Sequence, residues 1–209
     1  KKKTASVTFK GIDYKKFKNE YSDTIAIPEK VEYNGTEYKV TSIGASAFSG
    51  CYKKGRSEVA AEEVMLIIGE IVEDGIYDES TNRKNHEDYE ANGLKYVSIP
   101  NSVTKIGDEA FFQCKNLTNV LLPDSIKQIG REAFSLCSSL NKVTIPKGVT
   151  SIKYKAFYNC GNLKSILMQE GITTIGREAF ENCYNLTNIT LPNSLTEIGY
   201  EAFRNCEKL

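Results

Sequence analysis

The sequence repeats itself with a period of 23 residues, and this periodicity constrains the fold more than any other feature of the chain. Four residue types recur at this interval. They are leucine (Leu94, Leu117, Leu140, Leu163, Leu186 and Leu209), isoleucine (Ile106, Ile129, Ile152, Ile175 and Ile198), phenylalanine (Phe111, Phe134, Phe157, Phe180 and Phe203) and cysteine (Cys114, Cys137, Cys160, Cys183 and Cys206). A unit of this length cannot bury its own apolar face, but stacked copies bury it against each other. The sequence therefore predicts a solenoid.

Each unit is predicted to contain two extended segments and a turn. Positions one, four and six are apolar, and position seven is a proline in all units but one, which ends the first strand because proline cannot donate to a ladder. A small residue, a second apolar pair and a glycine follow, with Lys153 replacing that glycine once. The Ala-Phe-x-x-Cys end has the i, i+3 spacing of one helical turn. We therefore predict an α/β-type solenoid dominated by β, with a parallel sheet on one face and short helical turns.

The repeat pattern divides the chain into three segments. Residues 94–209 hold five regular units and the start of a sixth, while residues 1–51 are predicted to form an N-terminal β cap and a first degenerate repeat. Within that cap, Asn34-Gly35 between strand-forming residues predicts a β-hairpin. Residues 52–93 form an insertion between these two segments.

The insertion has two parts of different character. Residues 57–74 carry an apolar stripe with acidic flanks, which predicts a helix, although the β-branched Ile67-Ile68 pair permits a strand instead. Residues 75–92 are polar and predict a loop.

Composition argues against several classes of function. The 27 basic residues balance the 27 acidic ones, and no apolar run approaches the ~20 residues of a membrane span, so we expect neither nucleic-acid binding nor membrane insertion. The single histidine, His86, lies in a polar run, and no repeat supplies a nucleophile with a base. The acidic residues around Glu73 and Asp78 lack the spacing of a calcium loop. We expect no enzyme activity, no cofactor and no metal site.

The six cysteines all occupy the same position of the unit, three residues after the phenylalanine. This placement favours free thiols that are buried in the core as small apolar side chains. A bridge between neighbouring coils or a metal site are the alternatives, although neither a C-x-x-C motif nor a Cys/His pair is present.

The unit resembles the BspA-like class of leucine-rich repeats, most fully in Ile99-Pro100-Asn101-Ser102-Val103-Thr104-Lys105-Ile106-Gly107 with Ala110-Phe111 and Cys114. The resemblance covers residues 94–209 and, with the hairpin inserted, residues 25–51, whereas residues 52–93 have no counterpart. Met168-Gln169 departs from the usual Ile-Pro. The resemblance implies a right-handed leucine-rich repeat coil in a secreted or cell-surface protein of a host-associated microbe. It also implies binding of other proteins, including extracellular-matrix or host surface proteins, and no reaction.

A binding site is expected on the outward-facing positions three and five of the first strand of each coil, because side chains alternate along a strand. This surface is mixed polar and suits an extended protein partner, or a glycan, more than phosphate. Binding by another face or by the insertion, and a structural stalk or spacer without a ligand of its own, are the alternatives. The ten predicted site residues are Tyr96, Ser98, Asn119, Leu121, Lys142, Thr144, Ser165, Leu167, Asn188 and Thr190.

Overall fold

The computed structural model describes residues 4–8, 24–33, 36–45, 47–48, 52–54, 67–68, 89–91 and 94–209. Over these ranges the chain forms short strands and turns, and none of it forms a helix of the length and apolarity that a membrane span requires. The strands are β1 (Thr4–Thr8), β2 (Thr24–Ala26), β3 (Lys30–Tyr33), β4 (Thr36–Ile43), β5 (Tyr52–Lys54), β6 (Ile67–Ile68), β7 (Tyr89–Ala91), β8 (Tyr96–Ser98), β9 (Lys105–Ile106), β10 (Asn119–Leu121), β11 (Gln128–Ile129), β12 (Lys142–Ile145), β13 (Ser151–Ile152), β14 (Ser165–Met168), β15 (Thr174–Ile175), β16 (Asn188–Thr190) and β17 (Glu197–Ile198).

The first strands of successive coils form one parallel sheet in the order β16-β14-β12-β10-β8-β2. Paired residues in the regular coils lie 23 positions apart, as in Asn119 with Tyr96 and Asn188 with Ser165. A proline limits these short strands to the stretch where their N–H groups can pair, except in β14, where Gln169 stands in its place. The predicted β-solenoid with a parallel sheet on one face is therefore confirmed.

The second strands of the coils form two sheets instead of one. Strands β9 and β11 continue from β4, whereas β13, β15 and β17 pair only with one another. The break coincides with Lys153, which occupies the glycine position of its coil. The Gly130 and Gly176 N–H groups donate to the Ile106 and Ile152 carbonyls at 2.9 and 2.8 Å. The side chain of Lys153 therefore occupies the position that a glycine fills in the other regular coils, at the point where the second sheet is interrupted.

The apolar columns of the sequence form a continuous core. The leucines, isoleucines, phenylalanines and cysteines of the inner coils are almost completely buried. Six phenylalanine rings, from Phe48 to Phe203, stack along this core with centroids 5.1–5.4 Å apart and planes within 8° of parallel. Each coil thus buries its apolar side chains against the next coil, as the repeat predicted.

The Ala-Phe-x-x-Cys segments of residues 94–209 form successive turns and not the predicted helical turns. Glu132 and Leu136 have φ angles of 52° and 62°, which interrupt the negative φ values that a right-handed helix needs. The N–H groups of Glu132, Phe134 and Leu136 donate to carbonyls of the next coil at 2.8–3.0 Å. These bonds between coils replace the bonds within a helix, and the same two positions have positive φ in every regular coil.

The described parts of the N-terminal region and insertion contain further strands, of which β5 and β7 form a separate two-stranded sheet. Strands β3 and β4 pair in antiparallel fashion on either side of Asn34-Gly35, as the predicted hairpin requires, although these two residues lie outside the described residues. Strand β1 pairs with β4 and with β6, so Ile67–Ile68 adopts the permitted strand and not the predicted helix. Strand β7 pairs with β5 where a loop was predicted. The rest of the insertion lies outside the described residues, and the capping role and segment boundaries remain predictions.

The five described cysteines are free, which confirms the favoured interpretation for these residues. Four are buried and Cys206 is partly exposed, while Cys51 lies outside the described residues. The Sγ–H of Cys137 donates to the Phe111 carbonyl of the preceding coil at 3.1 Å, and the other described thiols repeat this bond. The cysteines therefore tie each coil to its neighbour without a covalent bond.

We expect thiol titration to show this burial directly. Burial raises the pKa of Cys160 to about 12, so at pH 8 its thiol stays protonated and unreactive. All six thiols should react with a thiol reagent in denaturant, whereas in the native protein Cys206 should react well before the four buried ones. Failure of any thiol to react under denaturing conditions would contradict the assignment, because it would indicate a disulfide.

The raised thiol pKa also predicts an alkaline loss of stability. The pKa of Cys160 in the folded protein lies above the unfolded value of about 8.5. The buried, protonated thiol therefore contributes fully to the free energy of unfolding below pH 8.5, and this contribution is lost as the pH rises toward 12.

Candidate functional site

The ten predicted site residues lie together on the outer surface of the first sheet, here called the strand face. Position three of each coil forms one column and position five forms a second column beside it. Strands β8 and β10 both show the exposed–buried–exposed alternation that the prediction assumed. The columns are Tyr96, Asn119, Lys142, Ser165 and Asn188, and Ser98, Leu121, Thr144, Leu167 and Thr190.

The structure extends the strand face by one strand that sequence reasoning did not include. Strand β2 pairs with β8 so that Thr24 lies beside Tyr96 and Ala26 beside Ser98. The match of Ile25-Ala26-Ile27-Pro28 to the later strands is the sequence signal that places this strand in the same sheet. The backbone register of the sheet therefore continues into the degenerate first repeat.

Three apolar side chains are prominent on this polar surface. Leu121 is 75 % exposed, Tyr96 47 % and Leu167 45 %. Leu121 and Leu167 occupy the same position of coils on either side of the Thr144 coil, and Thr144 pairs directly with Leu167. A partner that covers these exposed leucines would gain binding free energy, because the burial of apolar area is favourable.

The strand face suits contact and not chemistry. Lys142 is its only charged residue, and its ten residues include no histidine, cysteine or carboxylate. General acid–base or nucleophilic catalysis needs such groups within hydrogen-bond reach of each other. The arrangement can therefore recognise a surface through shape, hydrogen bonds and apolar contact.

A cluster of three carboxylates lies on the turn side of the last coils, and the sequence did not predict it. Carboxylate oxygens of Glu178, Glu181 and Glu201 lie within 4.8 Å of one another, because positions 16 and 19 of neighbouring coils meet there. Lys155 contacts Glu178 at 3.1 Å and Arg204 contacts Glu201 at 3.0 Å. These cations account for the cluster as an ion-pair network.

Two carboxyl groups of this region have pKa values shifted in opposite directions. Burial works to raise the pKa of Glu178, but hydrogen bonds and charges from Lys155 and Arg177 outweigh it, and the pKa is lowered. Burial, and then the neighbouring charge of Glu109, raise the pKa of Glu132. The paired carboxylate therefore favours its charged form, as a structural ion pair does.

Comparison with known proteins gives a consistent result. A family model described as the BspA type leucine rich repeat region matches residues 85–209 in six copies. No curated protein matches the sequence.

Solved structures of bacterial proteins show a similar fold. A leucine rich cell surface protein from Faecalibacterium prausnitzii A2-165 is 27 % identical with a TM-score of 0.62, over 90 % of this chain and 46 % of that one. The chain thus spans about half of the length of that protein. The leucine rich repeat protein of T. pallidum is 22 % identical with a TM-score of 0.61, over 90 % of this chain and 78 % of that one, and shows the fold alone.

Proposed function

This chain belongs to the BspA type leucine-rich repeat family, and we propose that it is a non-catalytic recognition module of a cell-surface or secreted protein. Proteins of this family are generally binding scaffolds and not enzymes. The cell-surface description of the F. prausnitzii neighbour supports an extracellular location for this chain too. The partner that we propose is a protein, with extracellular-matrix or other host surface proteins as the leading class.

The single observation that carries this proposal is the continuous strand face. Its two columns present ten side chains in register on one sheet, while the coil interior is filled by repeated apolar columns. Protein interfaces combine a few apolar or aromatic anchors with a polar surround. Tyr96, Leu121 and Leu167 supply the anchors, and the asparagines, serines and threonines supply the surround.

The alternative function is a stalk or spacer that presents another domain. A spacer needs only the buried columns, and its exposed positions can carry any polar residue that keeps the surface solvated. Tyr96, Leu121 and Leu167 are all exposed on the same face of the sheet, and exposed apolar side chains that are grouped on one face are more typical of an interaction site than singly scattered ones. This grouping favours recognition over a spacer role.

The proposal is tested first by binding to an array of mammalian extracellular-matrix proteins. For each matrix protein of the array that binds, we expect the combined substitutions Tyr96→Ala, Asn119→Ala and Leu121→Ala to weaken its binding by at least ~2 kcal/mol, or roughly 30-fold in affinity. The three side chains are exposed, so the melting temperature should change little.

A matched control replaces three exposed residues of the second sheet region: Lys105→Ala, Lys127→Ala and Gln128→Ala. This variant should bind like the native protein. If the strand-face variant bound with unchanged affinity, the strand face would be excluded as the binding site. Absence of any binding to the array would overturn matrix adhesion and support the spacer role.

A further inference from the structure

Two backbone hydrogen bonds recur on the second-sheet side of nearly every interface between neighbouring coils. In one of them, the Thr173 N–H donates to the Thr150 carbonyl at 2.8 Å. In the other, the Gly176 N–H donates to the Ile152 carbonyl at 2.8 Å. Equivalent bonds join three further pairs of neighbouring coils, including the degenerate first repeat with the coil that starts at Leu94. Their donors are Thr104 and Gly107, Lys127 and Gly130, and Thr196 and Gly199.

Neither bond forms at the interface between residues 117–139 and residues 140–162, here called the central junction. The equivalent donors are the N–H groups of Thr150 and Lys153, and neither donates a backbone hydrogen bond to any residue that the structure describes. The second sheet is interrupted at the same place, because β11 and β13 do not pair. The second-sheet side of the central junction is therefore open, although all residues of both coils are ordered strands and turns.

The first sheet is also weakest at the central junction. Strands β10 and β12 align a single pair of residues, Asn119 with Lys142, whereas β12 and β14 align four pairs. The Asn141 N–H donates to the Thr118 carbonyl at 3.3 Å, and the equivalent bond of the next interface, from the Lys164 N–H to the Asn141 carbonyl, is 2.9 Å. Both sheets thus have their fewest bonds between the same two coils.

The turn side of the central junction is bonded as fully as its neighbours. The N–H groups of Glu132, Phe134 and Leu136 donate to carbonyls of the next coil at 2.8–3.0 Å. The rings of Phe134 and Phe157 stack across the junction with centroids 5.4 Å apart. The Cys160 thiol donates to the Phe134 carbonyl at 3.2 Å. An interface that is joined along the turns and sparsely bonded in both sheets has the build of a hinge.

Lys153 supplies a physical cause for this arrangement. The other regular coils have a glycine at its position, and a Cβ atom there would meet the backbone of the preceding coil. At Gly199 this atom would lie 2.4 Å from the Arg177 nitrogen, and at Gly176 it would lie 2.9 Å from the Lys153 carbonyl carbon. Because Lys153 carries a Cβ atom, its coil cannot approach the preceding coil as closely as the glycine-containing coils do.

We propose that the central junction is a hinge at which residues 94–139 and residues 140–209 open as two units, while the turn side stays joined. The strand face crosses this hinge between β10 and β12, with Leu121 in the first unit and Leu167 in the second. Opening therefore changes the spacing of two apolar side chains that the proposed partner contacts. The hinge itself does not rest on the proposed function, and its test needs no partner.

Hydrogen exchange of the full chain, resolved by residue and measured at increasing low urea concentrations, tests the hinge. We expect the protection factor of the Asn141 amide to be at least about tenfold lower than those of the equivalent Thr118 and Lys164 amides. It should also fall with urea, because opening uncovers apolar side chains between the coils. On the turn side, the Leu136 amide should be protected within about threefold of the equivalent Asn159 amide.

Lys153→Gly and Lys153→Ala are a matched pair of variants, because both remove the lysine charge but only Lys153→Gly removes the Cβ atom. In Lys153→Gly the two coils can close, so the protection factor of the Asn141 amide should rise about tenfold, toward that of Lys164. In Lys153→Ala it should change by less than about twofold. Since Asn141 lies beside the first sheet and residue 153 follows the second, this response reports opening of the whole junction.

Four results would overturn the proposal. In the native chain they are equal protection of the Asn141, Thr118 and Lys164 amides, and exchange at Asn141 that does not depend on urea. In the variants they are unchanged protection of Asn141 in Lys153→Gly, and an equal rise in Lys153→Gly and Lys153→Ala. The strand-face substitutions test protein recognition separately, so failure of the hinge leaves that proposal standing.

Discussion

Replacing Phe157 with alanine is expected to lower the free energy of unfolding by about 3–5 kcal/mol. The Phe157 ring is fully buried and stacks between Phe134 and Phe180, with centroids 5.4 Å from each. Its removal leaves a cavity between two coils that the backbone bonds of the turn hold in place. The measurement is urea-induced unfolding of the variant and the native protein, followed by circular dichroism.

Phe203→Ala is the matched control for this prediction. Phe203 belongs to the same column but is only partly buried and stacks with a single neighbour, Phe180. Its loss should therefore cost clearly less than the loss of Phe157. Equal costs for the two variants would contradict the view that each coil is stabilised by the two coils beside it.

Gly130→Ala is expected to destabilise the protein by about 3 kcal/mol, the upper part of the range for overpacking. A Cβ atom at Gly130 would lie 2.4 Å from the carbonyl carbon of Gly107 and 2.5 Å from the nitrogen of Asp108. Both atoms belong to the backbone and cannot rotate away. The coils must separate, which weakens the bond from the Gly130 N–H to the Ile106 carbonyl.

Lys153→Ala tests the same position in the next coil. A Cβ atom is already accommodated there, because the second sheet is interrupted between β11 and β13. This substitution should change stability by less than about 0.5 kcal/mol. Thermal melting of the two variants measures this difference in stability. A small loss of stability in Gly130→Ala would contradict the view that the fold requires the close approach of the coils at Gly130.

The buried architecture follows from the sequence because one period governs every coil. A 23-residue repeat of apolar residues leaves few ways to bury them other than stacking, and stacking fixes the register of the strands. The alternation within each strand then places Tyr96 and Leu121 outside. Both columns of the strand face could be predicted for this reason, while their binding role depends on a partner that the chain does not contain.

The turns were predicted wrongly because i, i+3 spacing is shared by a helix and by successive turns. Asn159, Asn182 and Asn205 all have positive φ, and asparagine tolerates that region better than most residues. This asparagine column was the available signal against a helix. The glutamates at the other positive-φ position, such as Glu178, do not indicate a turn from their residue type. The carboxylate cluster could not be predicted either, because its members come together only when the coils stack.

The insertion shows a different limit of sequence reasoning. The apolar stripe of residues 57–74 fitted a helix, but Ile67–Ile68 pairs with β1. Such a strand forms because it pairs with a segment that is distant in the sequence, and the local periodicity of apolar residues does not predict that pairing. The same applies to Tyr89–Ala91, which is polar in sequence but pairs with β5.

Site-specific photo-crosslinking tests most directly the claim that recognition occurs on the strand face. A photoreactive residue is placed at Ser98, which is exposed in the second column, or at Gln128, which is exposed in the second sheet. Each protein is irradiated with a matrix protein that binds in the array. The account predicts an adduct from position 98 and none from position 128. An adduct from position 128 alone would contradict it and assign recognition to the other side of the coil.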